Sequence, residues 1–199
     1  AVLVLKAPSV SAPATEIIVD NPAAVFVGTW PTSTSVAGYY GSNYQYHAAG
    51  TGANTATWVV TIPTAGNWDV YARWTSGSNR ASNAKYTVPH ADGVSVVTVN
   101  QVINGGIWYK LGTYRFGAIG YGVMLSDNAN EYVIADAIRV VQVVAPAPSI
   151  YIAERQYSAW TANLVGWQTI VSVTLPSLPA GYYKAEVDAH SYQSDAVLG

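Results

Sequence analysis

The chain has 199 residues, half of them apolar, with nine Lys and Arg, eleven Asp and Glu, a net charge of −2 and no Cys. This balance excludes a basic nucleic-acid stripe, and no run approaches the ~18 uncharged apolar residues that a membrane-spanning helix needs. Without Cys there are no disulfides, thiolate metal sites or thiol nucleophiles, and a surface rich in Tyr, Trp, Thr, Ser, Gly and Asn suits neutral hydroxylated partners or other proteins.

The chain opens AVLVLKAPSVSAPA, with no initiating Met and no basic start. No signal peptide is visible, and residues 1–15 read as an N-terminal extended segment of a longer or processed chain. From there, alternation of period two dominates. In TATWVVTI, Ala56, Trp58, Val60 and Ile62 share a face. In NWDVYARW, Trp68, Val70, Ala72 and Trp74 face one way, and Asp69, Tyr71 and Arg73 the other. NAKYTVPH groups Ala84, Tyr86 and Val88, and GVSVVTVN, IWYKLGTYRF, GYGVMLS and EYVIADAIRVV continue the pattern. These are half-buried antiparallel strands. PTAGN, TSGSN, ADG, NGG and SDNAN separate them as turns. No amphipathic helix of helical length is present. The fold class is therefore all-β.

The Pro-rich stretch at 143–149 cannot continue a ladder and reads as a stiff linker. SIYIAERQYS, GWQTIVSVTLPSLPAG and YYKAEVDAHSY add three strands across 150–199. Three or four strands are too few to close a second sandwich. That module is expected to be partial, either cut short or completed by another chain.

Candidate chemistry is sparse. His47, His90 and His190 fall in no metal-binding pattern, and no G-x-S-x-G elbow occurs. Each His reads as a surface or edge residue. The acids are spread thinly, mostly at turns, rather than paired across a cleft. SDNAN at 126–130 reads as an Asx turn. In SGSNRASNA, Arg80 reads as a structural clamp of its loop, with reach to a sugar or carboxylate as the alternative. Asp136 alternates with Tyr132, Ile134, Ile138 and Val140, which places a carboxylate on the apolar face. It must be paired, hydrogen-bonded or metal-bound there. Backbone N–H groups, or a cation such as Arg80, would serve.

The stretch GTWPTSTSVAGYYGSNYQYHAAGTG, from Gly28 to Gly52, has no charged residue and many rings. Flat aromatic faces beside amides and hydroxyls suit a sugar, and binding sites in general combine apolar walls with a few placed polar groups. Trp30, Tyr39, Tyr40 and Asn43 are the candidates here, with Trp108 in NGGIWYKLG as a further platform. Tyr44 and Tyr46 share one face and read as core. Exposed Tyr and Trp are also protein-interface anchors.

Several segments, in order, carry a family resemblance: EIIVDN, GTWPTSTSVAGYYGSNYQY, GTGANTATW, AGNWDVYARWTSGSNRASNAKYTV, GIWYKLGTYRF and LSDNANEYVIADAIRVV. Over residues 16–142 they resemble the golvesin C-terminal domain, the carbohydrate-binding-like module attached to xanthan lyases. The resemblance implies a jelly-roll-like β-sandwich appended to larger extracellular proteins. The ADAIRV ending is also similar to the last strand of jelly-roll carbohydrate modules, which implies a possible structural Ca²⁺ held by Asp136 with Glu16 and Asp20. Otherwise no cofactor is expected. Residues 150–199 resemble small β modules of phage virion proteins through WQTIVSVTLPSLPAGYY.

Three functions follow as expectations. The first is a non-catalytic module of a secreted or surface protein that contacts polysaccharide or displays an adhesive surface. The second is a structural part of a phage virion or surface assembly, such as a fibre, decoration or tail component, with other protein subunits as partners. The third, a polysaccharide lyase or hydrolase, is disfavoured by the missing catalytic cluster.

Overall fold

The computed structural model describes residues 13–144, together with the strands β1 (Val2–Lys6) and β14 (Lys184–Asp188). The segment Pro13–Val144 folds as one unit, and β1 and β14 belong to another. In the first unit the strands follow in chain order as β2 (Glu16–Asp20), β3 (Val25–Val27), β4 (Thr32–Ser33), β5 (Tyr44–His47), β6 (Thr55–Thr61) and β7 (Gly66–Arg73). Then come β8 (Ala84–His90), β9 (Gly93–Val99), β10 (Tyr109–Phe116), β11 (Gly120–Ser126), β12 (Val133–Ala135) and β13 (Ala137–Gln142). Among the described residues the only helical element is a 3₁₀ turn, Asn21–Ala23, which Asp20 caps by accepting the Asn21 N–H.

A four-stranded sheet of order β10-β7-β13-β2 faces a five-stranded sheet of order β3-β6-β11-β8-β9, and every ladder in them is antiparallel. A third sheet, β12-β5-β4, sits beside them. The alternating residues explain the layering. Trp68, Val70, Ala72 and Trp74 from β7 and its end are fully buried, as are Ala56, Trp58 and Val60 of β6 and Ala84, Tyr86 and Val88 of β8. Their neighbours in sequence point out, and Val59 is 52% exposed between two buried residues. In β10 the register skips Leu111, a bulge that turns this side chain into the core. Lys110 and Thr113, on either side of it, both reach Asp69 on β7, at 2.7 and 2.6 Å.

The last strand departs from simple alternation. Tyr132 is 37% exposed rather than on the apolar face, and all three residues of β12 are buried. The reason is a change of sheet. Val133–Ala135 pair with β5, whereas Ala137–Gln142 pair with β2 and β7. Asp136 is the single residue at the crossing.

In the second unit β1 pairs antiparallel with β14, from Val2↔Asp188 to Lys6↔Lys184. The N-terminal segment thus supplies a partner for the third strand expected beyond the linker. The first two strands expected there, residues 145–149 of the linker, and His190 lie outside the described residues.

Trp58 ties the five-stranded sheet to the strand crossing. Its ring stacks on Tyr86 at 6.4 Å, and its Nε1–H donates to the Asp136 carbonyl at 3.2 Å. Trp58→Phe leaves that buried carbonyl without its donor and opens a small cavity. Urea denaturation is expected to show a loss of about 1–3 kcal/mol, whereas Val59→Thr on the exposed face stays within about 0.5 kcal/mol of the parent.

Candidate functional site

The crossing at Asp136 organises one end of the sandwich. Its carboxylate is fully buried, and both oxygens accept the Tyr40 N–H, at 3.0 and 3.1 Å. The turn that carries Tyr39 and Tyr40 is thereby tied to the strand crossing. Gly38 (φ +107°) and Gly41 (φ +62°) close this turn in backbone conformations that favour glycine. A Cβ on Gly41 would also run into the Asp20 carboxylate. Asp20 lies at the end of β2, with Ala137 as its register partner. Burial pushes the Asp136 carboxyl up to about 7. The Tyr40 N–H lowers it, the Asp20 charge raises it further, and Arg73 lowers it. Asp20 is also raised, by burial against the lowering bond from Asn21. Backbone N–H groups and Arg80 are the partners expected for Asp136. The backbone is what it meets, and Arg80 points elsewhere.

The second component comes from the outer face of the four-stranded sheet. Arg73 of β7 and Arg139 of β13 stand on that face, and the half-buried Trp108 lies over both. Its ring centroid is 5.7 Å from the Arg73 guanidinium and 5.8 Å from that of Arg139. Arg139 also covers Tyr71 at 5.3 Å, and its Nε lies 3.1 Å from Glu16. Arg73 donates from Nε to the Gly38 carbonyl at 2.9 Å, so the same cation holds the Tyr40 turn. The Tyr40 ring meets Trp108 at 5.5 Å, tilted by 53°. Two expected contact residues, distant in sequence, form one aromatic pair on a cationic support.

The other expected contact residues do not join it. Trp30 is only 6% exposed. It packs on Phe26 and His47 and donates from Nε1 to the Val27 carbonyl, so it is a core residue. Tyr39 is half-buried and packs against the core and the Tyr44 ring. Asn43 is engaged with the side chains of Asn21 and Ser42. The three-acid calcium set does not form either. Glu16 lies four residues from Asp20 along an extended strand, ~13 Å away at ~3.3 Å per residue, and its carboxylate faces Arg139. Among the described residues no group of three His, Asp or Glu side chains that could hold a metal gathers.

Arg80 is 8% exposed and donates to the Asn79 side chain at 2.9 Å. It also donates to the Tyr44 hydroxyl at 3.2 Å, beside a small polar cavity. Burial pushes the Tyr44 phenol up, but bonds to Ser33 and Ser35 and the Arg80 charge bring it below its ordinary value. His47 lies 3.6 Å from the buried Asp127 and is largely covered, and His90, the last residue of β8, stacks on Tyr114.

Some organising residues carry no clear sequence signal. Asp127, within the expected Asx turn, accepts the Gly52 N–H and the Asn54 amide, both at 2.6 Å. It anchors a loop more than seventy residues earlier in the chain. Its carboxyl is held below the ordinary value: burial raises it, but the Asn54 and Gly52 bonds and the His47 charge outweigh that. The buried Gln101 satisfies both backbone groups of Ile134, at 2.8 and 2.9 Å. Arg139 was readable only as an outward position on its strand.

The raised Asp136 carboxyl has a definite sign. Between its ordinary value of 3.8 and about 7, the folded chain binds more proton than the unfolded one. This contribution to stability is complete below the lower value and is lost as pH rises to the upper one, at up to about 1.4 kcal/mol per pH unit. Thermal melts are expected to show a midpoint that falls over this window. Asp136→Asn is expected to flatten most of the fall, leaving the smaller part due to Asp20.

The profile of the golvesin C-terminal domain matches residues 17–142. Xanthan lyase of Bacillus sp. (strain GL1) is 36% identical over 136 residues, which cover 64% of this chain and 15% of that protein. The structure of Paenibacillus xanthan lyase aligns with a TM-score of 0.62 at 36% identity, covering 65% of this chain and 13% of that one. A family 35 carbohydrate-binding module from Clostridium thermocellum shares the fold with a TM-score of 0.51 at 16% identity, over 65% of this chain and 99% of the module. A Podospora anserina GH26-CBM35 β-(1,4)-mannanase aligns with a TM-score of 0.52 at 18% identity, over 67% and 28% of the two chains. The chain spans about one seventh of the length of the lyases it matches. It has a carbohydrate-binding-module-like β-sandwich and belongs to the golvesin C-terminal domain family.

Proposed function

We propose that this chain is a non-catalytic module of a larger extracellular protein that acts on polysaccharide, and that it contacts glycan through Tyr40 and Trp108. The observation that carries this reading is their pairing at the turn end of the sandwich. Both rings are half-buried, and their backing is fixed by Arg73, Arg139 and Asp136. A rigid aromatic ridge loses little entropy on meeting the C–H face of a sugar ring. The family relation to xanthan lyases and the fold shared with carbohydrate-binding modules support the reading. Binding to a polysaccharide panel by affinity electrophoresis is expected to be saturable and to weaken by about tenfold or more in Trp108→Ala, whose melting curve remains cooperative. The purified chain is expected to turn over none of the polysaccharides it retards. Binding equal in Trp108→Ala and the parent would overturn the assignment.

A second reading, a structural part of a virion or surface assembly, draws on a different face. Val25, Val27, Val59, Val94, Val96 and Ile119 are each more than half exposed, and five of them lie on strands of the five-stranded sheet. Val25, Val27 and Val59 lie on neighbouring strands, and exposed apolar side chains grouped in this way mark protein contacts. Light scattering at increasing concentration tests it: self-association abolished by Val59→Lys with Val96→Lys favours assembly, and a monomer throughout favours the glycan reading.

A further inference from the structure

A second site lies apart from the Tyr40–Trp108 pair and does not depend on that pair holding sugar. The guanidinium of Arg80 sits at a cavity of about 240 Å³ beside the three-stranded sheet. This volume is below the ~300–1,000 Å³ of clefts for drug-sized ligands, and matches one sugar-sized group rather than a chain of them.

The charge at this cavity is not neutralised. Among the described residues no carboxylate forms an ion pair with Arg80. The side chain is nine-tenths buried, and its Nε–H meets no acceptor. Of its five N–H groups, the assigned bonds use one for Asn79 and one for the Tyr44 hydroxyl. The Tyr44 ring, 5.7 Å from the guanidinium carbon, adds a cation–π contact but no formal negative charge. A buried cation is normally matched by an anion, and among the described residues no such match is made.

The rest of the wall is built of hydroxyls. Ser33 and Ser35 are 2.9 Å apart, and Ser35 is 3.2 Å from the Tyr44 hydroxyl, so a chain of O–H groups leads to the guanidinium. Tyr46 and Tyr132 complete the lining, their rings edge-to-face at 5.8 Å. Backbone bonds hold the parts in place: Ala81 N–H donates to the Tyr132 carbonyl at 2.7 Å, and Tyr46 N–H to that of Pro31 at 3.1 Å. A planar cation with unused donors, hydroxyls beside it and aromatic edges around it suit a planar anion carried on a small hydroxylated ring.

The geometry points to a binding site in this cavity for a sugar carboxylate, with Arg80 as its counter-charge and the Ser35 and Tyr132 hydroxyls as its hydrogen-bonding partners. Arginine suits a carboxylate better than a point charge does, because its fork meets both oxygens.

Calorimetric titration of the full chain with sodium glucuronate, and separately with glucose and inorganic phosphate, tests the assignment. Glucuronate is expected to saturate in the millimolar range, glucose not to bind the cavity, and phosphate to bind more weakly than glucuronate. Arg80→Lys should weaken glucuronate by about tenfold or more. Ser35→Ala and Tyr132→Phe, at residues exposed enough to leave the fold intact, should each weaken it by about threefold or more. Trp108→Ala should leave it unchanged, which separates this site from the Tyr40–Trp108 ridge. Absence of glucuronate binding, equal binding of glucose, tighter binding of phosphate, or parental affinity in both Ser35→Ala and Tyr132→Phe would each overturn it.

Discussion

The bond from the Tyr40 N–H to the buried Asp136 carboxylate is the constraint on which this end of the molecule depends. It is made where the last strand leaves one sheet for another. A strand that changes partners must break its ladder, and the residue at the break has backbone groups to satisfy. Here the Asp136 carbonyl is taken by Trp58 from the core, and its carboxylate takes an amide from the loop. One residue therefore reconciles two sheets and a turn. The penalty is a carboxyl held in a medium that disfavours its charge.

Aromatic residues divide sharply between support and surface, although composition makes them alike. The tryptophans on alternating strands were legible as core because period two assigns a face. Trp58, Trp68 and Trp74 follow that rule. Trp30, Tyr39 and Tyr40 come from a loop-rich segment with no period, where burial is decided by contacts distant in sequence. Trp30 goes under because its Nε1–H finds the Val27 carbonyl and its ring finds Phe26 and His47. Tyr40 stays out because the amide, not the ring, is what the core grasps. No local pattern separates those outcomes.

Polar side chains follow the same division. The placement of Asp136 on an apolar face was visible from alternation, but its partner was not, since Tyr40 is 96 residues away. Gln101 and Asp127 look like ordinary residues of a turn, yet each closes a loop against a remote strand. The outward cations Arg73 and Arg139 were readable as a face of their strands. Their meeting over Trp108 required the register of β7 against β13 and the approach of the loop before β10, which only three-dimensional pairing supplies. The strands of the sandwich and their core faces were thus largely readable, and the assembly of its turn end was not.

The pairing of β2 with β13 has a topological result. Gln142 donates to the Thr15 carbonyl at 2.8 Å, so the sandwich is entered and left at adjacent points. A domain whose two ends emerge together can be spliced into a host loop without prising the host apart. The chain is arranged in that way, since the strands that flank the sandwich, β1 and β14, are hydrogen-bonded to each other. In chain order the sandwich is therefore an insertion between two strands that pair with each other.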